Sequence, residues 1–347
     1  MIDFRFPSGI SLKKSAVITC ALLLACFLSR AQVAQAQQDG DDTVRIDTTL
    51  VQLNVGVVDR QGRAITNLSP SDFAVYEEGV RQSIKDFEPV NAPFSLVLLL
   101  DMSGSTLSFR PSLKQAAIRF LDALGPEDRV AVIAFNEKVK TLANFTTDYR
   151  KTVYAIQYAE GKGGTGLYQA LTYSLEQLGR EKNRRKAIVV LTDGVDTQMR
   201  LADGAAAGDA QTDQAAIAAI KPEASAALNG VLNAADRQGV TIYPLALPSG
   251  DPKRIVDPNP KQIAIYTSAR SRLQALADRT GGRLNEIRRL EDLGYLYAEV
   301  AADLRTLYTI TYRPAGDRQQ AKGWRSIRIE VVRPELVART RPGYFAR

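Results

Sequence analysis

The chain of 347 residues contains no histidine, and its two cysteines, Cys20 and Cys26, both fall near the N-terminus. The first absence excludes Ser-His-Asp and Cys-His nucleophilic catalysis and, with the second, the usual His/Cys zinc sites. Beyond residue 26 no thiol pair exists, so no disulfide can staple the rest of the chain. Aromatic residues are sparse, and the basic clusters Arg184-Arg185-Lys186, Arg288-Arg289 and Arg339/Arg341 lack the aromatic interleaving of a nucleic-acid groove. They read as solvated faces or element ends, and no nucleic-acid partner is expected. Carboxylates, hydroxyls and a metal ion held between them are the chemistry that remains.

The apolar run from Ala16 to Leu28 is too short for a comfortable membrane span. Arg5, Lys13 and Lys14 precede it, and Ala34-Gln35-Ala36 offers a small-x-small cleavage site. Residues 1–36 are therefore expected to be a signal peptide, and the protein to be exported to the periplasm, the cell surface or the medium. Leu23-Leu24-Ala25-Cys26 offers a second reading, a lipoprotein signal in which a lipidated Cys26 would tie the chain to a membrane. The formal charge of +7 falls to +4 once Arg5, Lys13, Lys14, Arg30 and Asp3 are set aside. Residues 37–43 form a polar linker.

What the chain does contain is a set of three polar loops placed after or between apolar elements. Phe94-Ser95-Leu96-Val97-Leu98-Leu99-Leu100 reads as a buried strand and runs into Asp101-Met102-Ser103-Gly104-Ser105. Ala187-Ile188-Val189-Val190-Leu191 is a second such strand and runs into Thr192-Asp193-Gly194. Between them lies Gly163-Gly164-Thr165-Gly166. Residues two apart on an extended segment project the same way, so Asp101, Ser103 and Ser105 can converge on one point. Thr165 adds a third hydroxyl and Asp193 a second carboxylate. Hard oxygen donors of this kind suit Mg²⁺, with Mn²⁺ or Ca²⁺ as alternatives. Two carboxylates do not fill an octahedron, which leaves room for water or for a carboxylate from another molecule. Each fragment alone also fits a bland role: Ser105 or Thr106 as a helix cap, and the other two as plain turns.

These residues resemble the metal-ion-dependent adhesion site of von Willebrand factor type A domains, whose pattern is Asp-x-Ser-x-Ser, then Thr, then Asp. The resemblance implies that Asp101, Ser103, Ser105, Thr165 and Asp193 are the metal ligands. The serines would bind directly, and the threonine and aspartates directly or through water. It also implies a site at the carboxyl edge of a mostly parallel sheet. Val55-Gly56-Val57-Val58-Asp59-Arg60-Gln61-Gly62, Asp72-Phe73-Ala74-Val75-Tyr76-Glu77-Glu78-Gly79 and Arg341-Pro342-Gly343-Tyr344 resemble exported bacterial proteins of the VWFA-related (acidobacterial-type) group.

The expected fold class is α/β: a doubly wound, mostly parallel sheet flanked by a small β-sandwich built from N- and C-terminal strands. Residues 44–92 form an N-terminal β module, residues 93–305 the metal-binding domain, and residues 306–347 C-terminal strands predicted to pair with 44–92. Separate terminal modules are the competing layout. Helices are predicted over 113–124, 148–158, 167–178, 271–280 and 290–304, and strands over 129–135 and 240–247. Residues 200–222, rich in Ala, Gly and Asp, read as a surface insertion, with a flap beside the metal as the alternative.

The function expected from this set is an exported adhesion or assembly module, not an enzyme, that captures a partner's Asp or Glu through the bound cation. Met102 and Thr106 would flank that carboxylate. A structural envelope scaffold with a metal-stabilised fold is the alternative. A metal-dependent enzyme is a weaker one, with Glu137 and Asp196 as possible carboxylates that also read as plain surface charge. The motif also occurs in A-type domains of magnesium-chelatase and cytosolic ATPase partners, but the export signal argues against that assignment.

Overall fold

A computed structural model describes residues 50–346, apart from residues 91, 183, 252, 254–255 and 316–321. The segments expected to be a signal peptide and a linker, with Cys26, lie outside the described residues.

Strand β1 (Val51–Val58) alternates apolar side chains toward a buried face; β2 (Phe73–Glu77), β3 (Val80–Gln82) and β4 (Ile84–Glu88) follow. The chain then enters β5 (Phe94–Asp101), which is buried along its whole length. A 3₁₀ turn over Gly104–Phe109 leads into α1 (Arg110–Asp122). Then come β6 (Arg129–Phe135), β7 (Val139–Thr146), α2 (Tyr149–Gln157) and α3 (Leu167–Gly179). After β8 (Arg185–Thr192) stand α4 (Thr197–Ala207), α5 (Asp213–Ala219) and α6 (Ala226–Gln238). The chain continues through β9 (Val240–Ala246), α7 (Pro260–Thr280), β10 (Asn285–Glu286) and α8 (Leu293–Arg305). It closes with β11 (Leu307–Tyr312), β12 (Gly323–Val331), β13 (Val337–Arg339) and β14 (Gly343–Ala346).

The central sheet has the order β10-β9-β8-β5-β6-β7, with every pair parallel except β6–β7. Strands buried on both faces are continuous apolar runs, as a covered parallel sheet requires. One face packs on α1, α2 and α8 through Phe120, Ile156 and Tyr297. The other packs on α3, α6 and α7 through Leu171, Leu232 and Leu276. The fold is thus doubly wound.

Two four-stranded antiparallel sheets, β13-β1-β11-β4 and β14-β12-β2-β3, mix strands from both ends of the chain. β1 pairs with β11 from Val51↔Tyr312 to Gly56↔Leu307, and β12 pairs with β2 from Ile327↔Glu77 to Val331↔Phe73. Their common core includes Leu53, Val75, Tyr308, Ile310 and Ile327. Glu77, fully buried there, accepts hydrogen bonds from Arg325 (2.6 Å), Tyr312 (2.6 Å) and Tyr344 (3.0 Å). The α/β domain is inserted into this sandwich.

Several boundaries differ from those read in the sequence. The segment expected as an insertion loop is two helices, α4 and α5, packed against α7. Helix α7 begins at Pro260 instead of 271, because Asn259 and Gln262 form a capping box ahead of the apolar pattern. Strand β7 was not anticipated: its pairing with β6 shifts register twice, which breaks the alternation on which a strand is recognised.

Candidate metal centre

The central sheet sets the site. β5 and β8 are neighbouring parallel strands in register, Leu100 opposite Leu191, so Asp101 and Thr192 leave the sheet side by side at its carboxyl edge. Asp101 is fully buried, and its carboxylate is held from two directions. Ser103 N–H donates to Oδ1 at 3.0 Å and the Thr192 hydroxyl to Oδ2 at 2.7 Å. The hydroxyls of Ser103 and Ser105 lie 3.1 Å apart, with Ser103 buried and Ser105 exposed. Asp193 accepts from Val195 N–H at 3.0 Å and also takes a hydrogen bond from Ser105. Asp101, Ser103, Ser105 and Asp193 therefore form one cluster.

Thr165 arrives on a third loop that is bound to both others. Gly104 N–H donates to Gly163 O at 2.9 Å, which ties this loop to the serines. On the other side Thr165 and Thr197 exchange bonds: the Thr197 hydroxyl accepts from Thr165 N–H at 2.8 Å, and Thr197 N–H donates to Thr165 O at 2.9 Å. Gly163 sits at φ +90°, a conformation that favours glycine. Glu137 clasps the same turn, accepting from Gly164 N–H at 2.9 Å. Arg110 gathers the first and third loops, its Nη2 donating to Met102 O (2.6 Å), Ser103 O (3.0 Å) and Gly161 O (2.5 Å).

Two expected neighbours of a captured carboxylate point elsewhere. Met102 is fully buried in the core under α1 and α2. Thr106 is equally buried, its hydroxyl donating to Asp101 O at 2.9 Å and contacting Ser103 O at 3.0 Å. It braces the turn; exposed Leu107 is the residue beside it that meets solvent. The two carboxylates considered for catalysis are likewise engaged in structure. Glu137 holds the glycine turn, and Asp196 caps α4, accepting from Gln198 and Met199 N–H at 2.9 and 3.1 Å.

The electrostatics favour a cation. Burial, reinforced by the charge of Asp193, pushes the Asp101 carboxyl up to about 6 against the hydrogen bonds of Ser103 and Thr192. Burial likewise raises Asp193, opposed by Ser105, Val195 and Arg270. Two adjacent buried carboxylates ionise readily only when a positive charge joins them. Among the described residues no group of three or more His, Cys, Asp or Glu side chains is placed to hold a metal. The donor set is instead two carboxylates plus hydroxyls, all hard oxygens, which fits Mg²⁺, Mn²⁺ or Ca²⁺.

Sequence reasoning missed Thr192, Thr197, Arg110 and Arg270. Thr192 stands next to Asp193 in the motif already read, so its alignment with Asp101 was the available signal. The arginines come from helices and carry no local signature.

The fold is a doubly wound α/β domain with a carboxylate-hydroxyl cluster at the carboxyl edge of its sheet. Residues 96–195 match the model of the von Willebrand factor type A domain, and the chain carries such a domain. Domains of this type commonly mediate protein–protein interaction or adhesion. The chain is 29% identical over 138 residues to the human voltage-dependent calcium channel subunit alpha-2/delta-2, matching 36% of this chain and 12% of that protein. It is 32% identical over 107 residues to an uncharacterised protein of Synechocystis, 29% of this chain and 25% of the other. The chain thus spans an eighth to a quarter of the length of these relatives. Among solved structures it is similar to a von Willebrand factor type A protein from Catenulispora acidiphila (TM-score 0.46, 11% identity, 87% of this chain and 75% of that one). Another is the vWF domain of a type V pilus tip protein from Porphyromonas gingivalis (TM-score 0.45, 15% identity, 61% and 94%).

Proposed function

We propose that the protein is an exported binding module that captures an Asp or Glu side chain of a protein partner through a divalent cation, Mg²⁺ first among the candidates. The observation that carries this reading is the cluster itself: two buried carboxylates at the ends of adjacent strands, with Ser105 exposed at its rim. Asp101, Ser103, Ser105, Thr165 and Asp193 would hold the ion. When bound, the ion supplies a positive acceptor for an external carboxylate. Asp101 and Asp193 would balance the ion's formal charge, Thr192 and Ser103 N–H orient Asp101, and Arg110 keeps the loops together. Two carboxylates and three hydroxyls leave part of an octahedral shell to water, and a partner's carboxylate can take one of those positions. Among the described residues the two candidate bases, Glu137 and Asp196, are both engaged in holding structure, which favours capture over turnover. Export rests on residues 1–36. No described helix is long and apolar enough to cross a membrane.

Thermal unfolding in Mg²⁺ against chelator, with Asp101→Ala alongside, tests the reading. At ten times the dissociation constant the ion should add about 1.4 kcal/mol, a rise in Tm of roughly 2–4 °C for a protein of this size. The shift should vanish in Asp101→Ala. No shift with Mg²⁺, Mn²⁺ or Ca²⁺ at millimolar concentration would overturn it. A shift without any metal-dependent capture of acidic ligands would favour the scaffold alternative.

A further inference from the structure

A cation is already built in beside the metal centre. Arg270 lies on the turn of α7 that packs against Gly194, the residue after Asp193: a Cβ at Gly194 would lie 2.7 Å from Leu273 Cδ1 and 3.6 Å from Ala269 O. The guanidinium reaches back to the carboxyl edge of the sheet, where Nη2 donates to Leu247 O at 3.3 Å. Leu247 N–H in turn donates to Thr192 O at 2.9 Å, so Arg270 sits on the backbone adjoining Asp193. The Glu286 carboxylate, on an exposed side chain, is 3.7 Å from Arg270 Nε, too long for a hydrogen bond. Nη1 is buried with no hydrogen-bond partner among the described residues. A buried guanidinium is ordinarily matched by a carboxylate fork, as Arg272, two residues along the same helix, is by Asp203. Among the described residues Arg270 has no such fork, and its charge acts on Asp193 and Asp251 as well as Glu286.

We infer that Arg270 is a positioning residue that tunes the charge of the metal centre, holding its affinity for the free cation down and its attraction for an anionic ligand up. The inference rests on the metal-dependent reading above. Two carboxylates and one guanidinium leave the empty cluster with a net single negative charge, and a divalent ion turns that into a net single positive charge. A ligand carboxylate then restores neutrality. Without Arg270 the two aspartates would neutralise the ion by themselves, and the drive to recruit a third carboxylate would be lost. The guanidinium thus makes ion and partner bind cooperatively, each favouring the other by the same factor.

Mn²⁺ binding followed by the EPR signal of the free ion tests this on the full protein, comparing wild type, Arg270→Gln and Arg270→Lys. Arg270→Gln should bind Mn²⁺ more tightly, on the order of tenfold for the removal of one nearby buried charge. Arg270→Lys should stay close to wild type. Acetate, added as a carboxylate probe, should tighten Mn²⁺ binding in wild type and Arg270→Lys more than in Arg270→Gln. A merely structural arginine predicts the opposite sign, weaker Mn²⁺ binding in both variants. Equal binding by wild type and Arg270→Gln, with circular dichroism showing both folded, would overturn the tuning role alone. Binding by none of the three proteins would overturn the metal reading and this inference with it.

Discussion

Asp101 uses both carboxylate oxygens to hold its own fold, accepting from Ser103 N–H and from Thr192, and still lies beside a second buried carboxylate. This carries a pH signature in the metal-free protein. The carboxyl stands near 6 when folded against an ordinary value of 3.8, so the folded state binds the extra proton between those limits. The stability this group contributes is full below about pH 4 and is lost as pH rises through 6. Asp101→Asn cannot titrate. Its stability relative to wild type should therefore grow by on the order of 1–3 kcal/mol between pH 4 and 7.5 in urea unfolding with chelator present. Saturating Mg²⁺ should reverse the trend, since the ion requires the ionised form. At this scale the motif was largely legible: two apolar runs visible in the chain deliver Asp101 and Asp193 to one edge, although Ser105 reaches the cluster on the 3₁₀ turn Gly104–Phe109 and not on the extended segment expected. Their supports were not. Thr192 could be found only by aligning its strand end with that of Asp101, and Arg110 gives no local hint that it will collect three carbonyls from two loops.

Helix α4 shows how an element can hide. Residues 200–222 look like a loop because alanine, glycine and aspartate leave little apolar periodicity. What anchors them is a buried ion pair, Asp203 to Arg272 through two bonds of 2.6 Å, with both residues nearly excluded from water. Such a pair is invisible to a hydrophobic pattern, since its partner lies on another helix. Asp203→Ala would leave a buried guanidinium without its fork and should cost about 3–5 kcal/mol. The double variant Asp203→Leu/Arg272→Met should recover most of that loss, as measured by urea unfolding. Because Thr197 opens α4 and exchanges bonds with Thr165, the Asp203→Ala variant should also weaken Mg²⁺ binding. Helices α1, α2, α3 and α8 were read within a few residues from their apolar spacing; α7 was read eleven residues short, because its first turns carry a cap but few core side chains.

At the scale of the molecule, one arginine closes the insertion. Arg185, at the start of β8, donates to Val90 O at 2.8 Å and Leu307 O at 2.6 Å, bonds Ala92 O, and lies over the Phe94 ring. It therefore binds the segment that enters the α/β domain and the segment that leaves it. Burial lowers its pKa to about 10, so it is charged throughout the physiological range. Arg185→Met would strand these carbonyls and should cost about 3 kcal/mol or more, as unsatisfied buried groups do. Calorimetry should then show the sandwich and the α/β domain melting separately, since each has its own core. The shared sandwich was legible as a pattern of strands at both ends of the chain. The residue that locks it was read only as part of a basic cluster, because its partners are backbone carbonyls.

Strand β5 runs without interruption from this junction to Asp101, and it has seven register pairs to β6 and seven to β8. A partner pulling on the candidate metal centre would load β5 along its own axis. The ladders on both sides would resist in shear, with many hydrogen bonds strained together instead of one after another. The same strand that delivers Asp101 to the rim would thus also be the tether carrying tension from a captured ligand back to the sandwich.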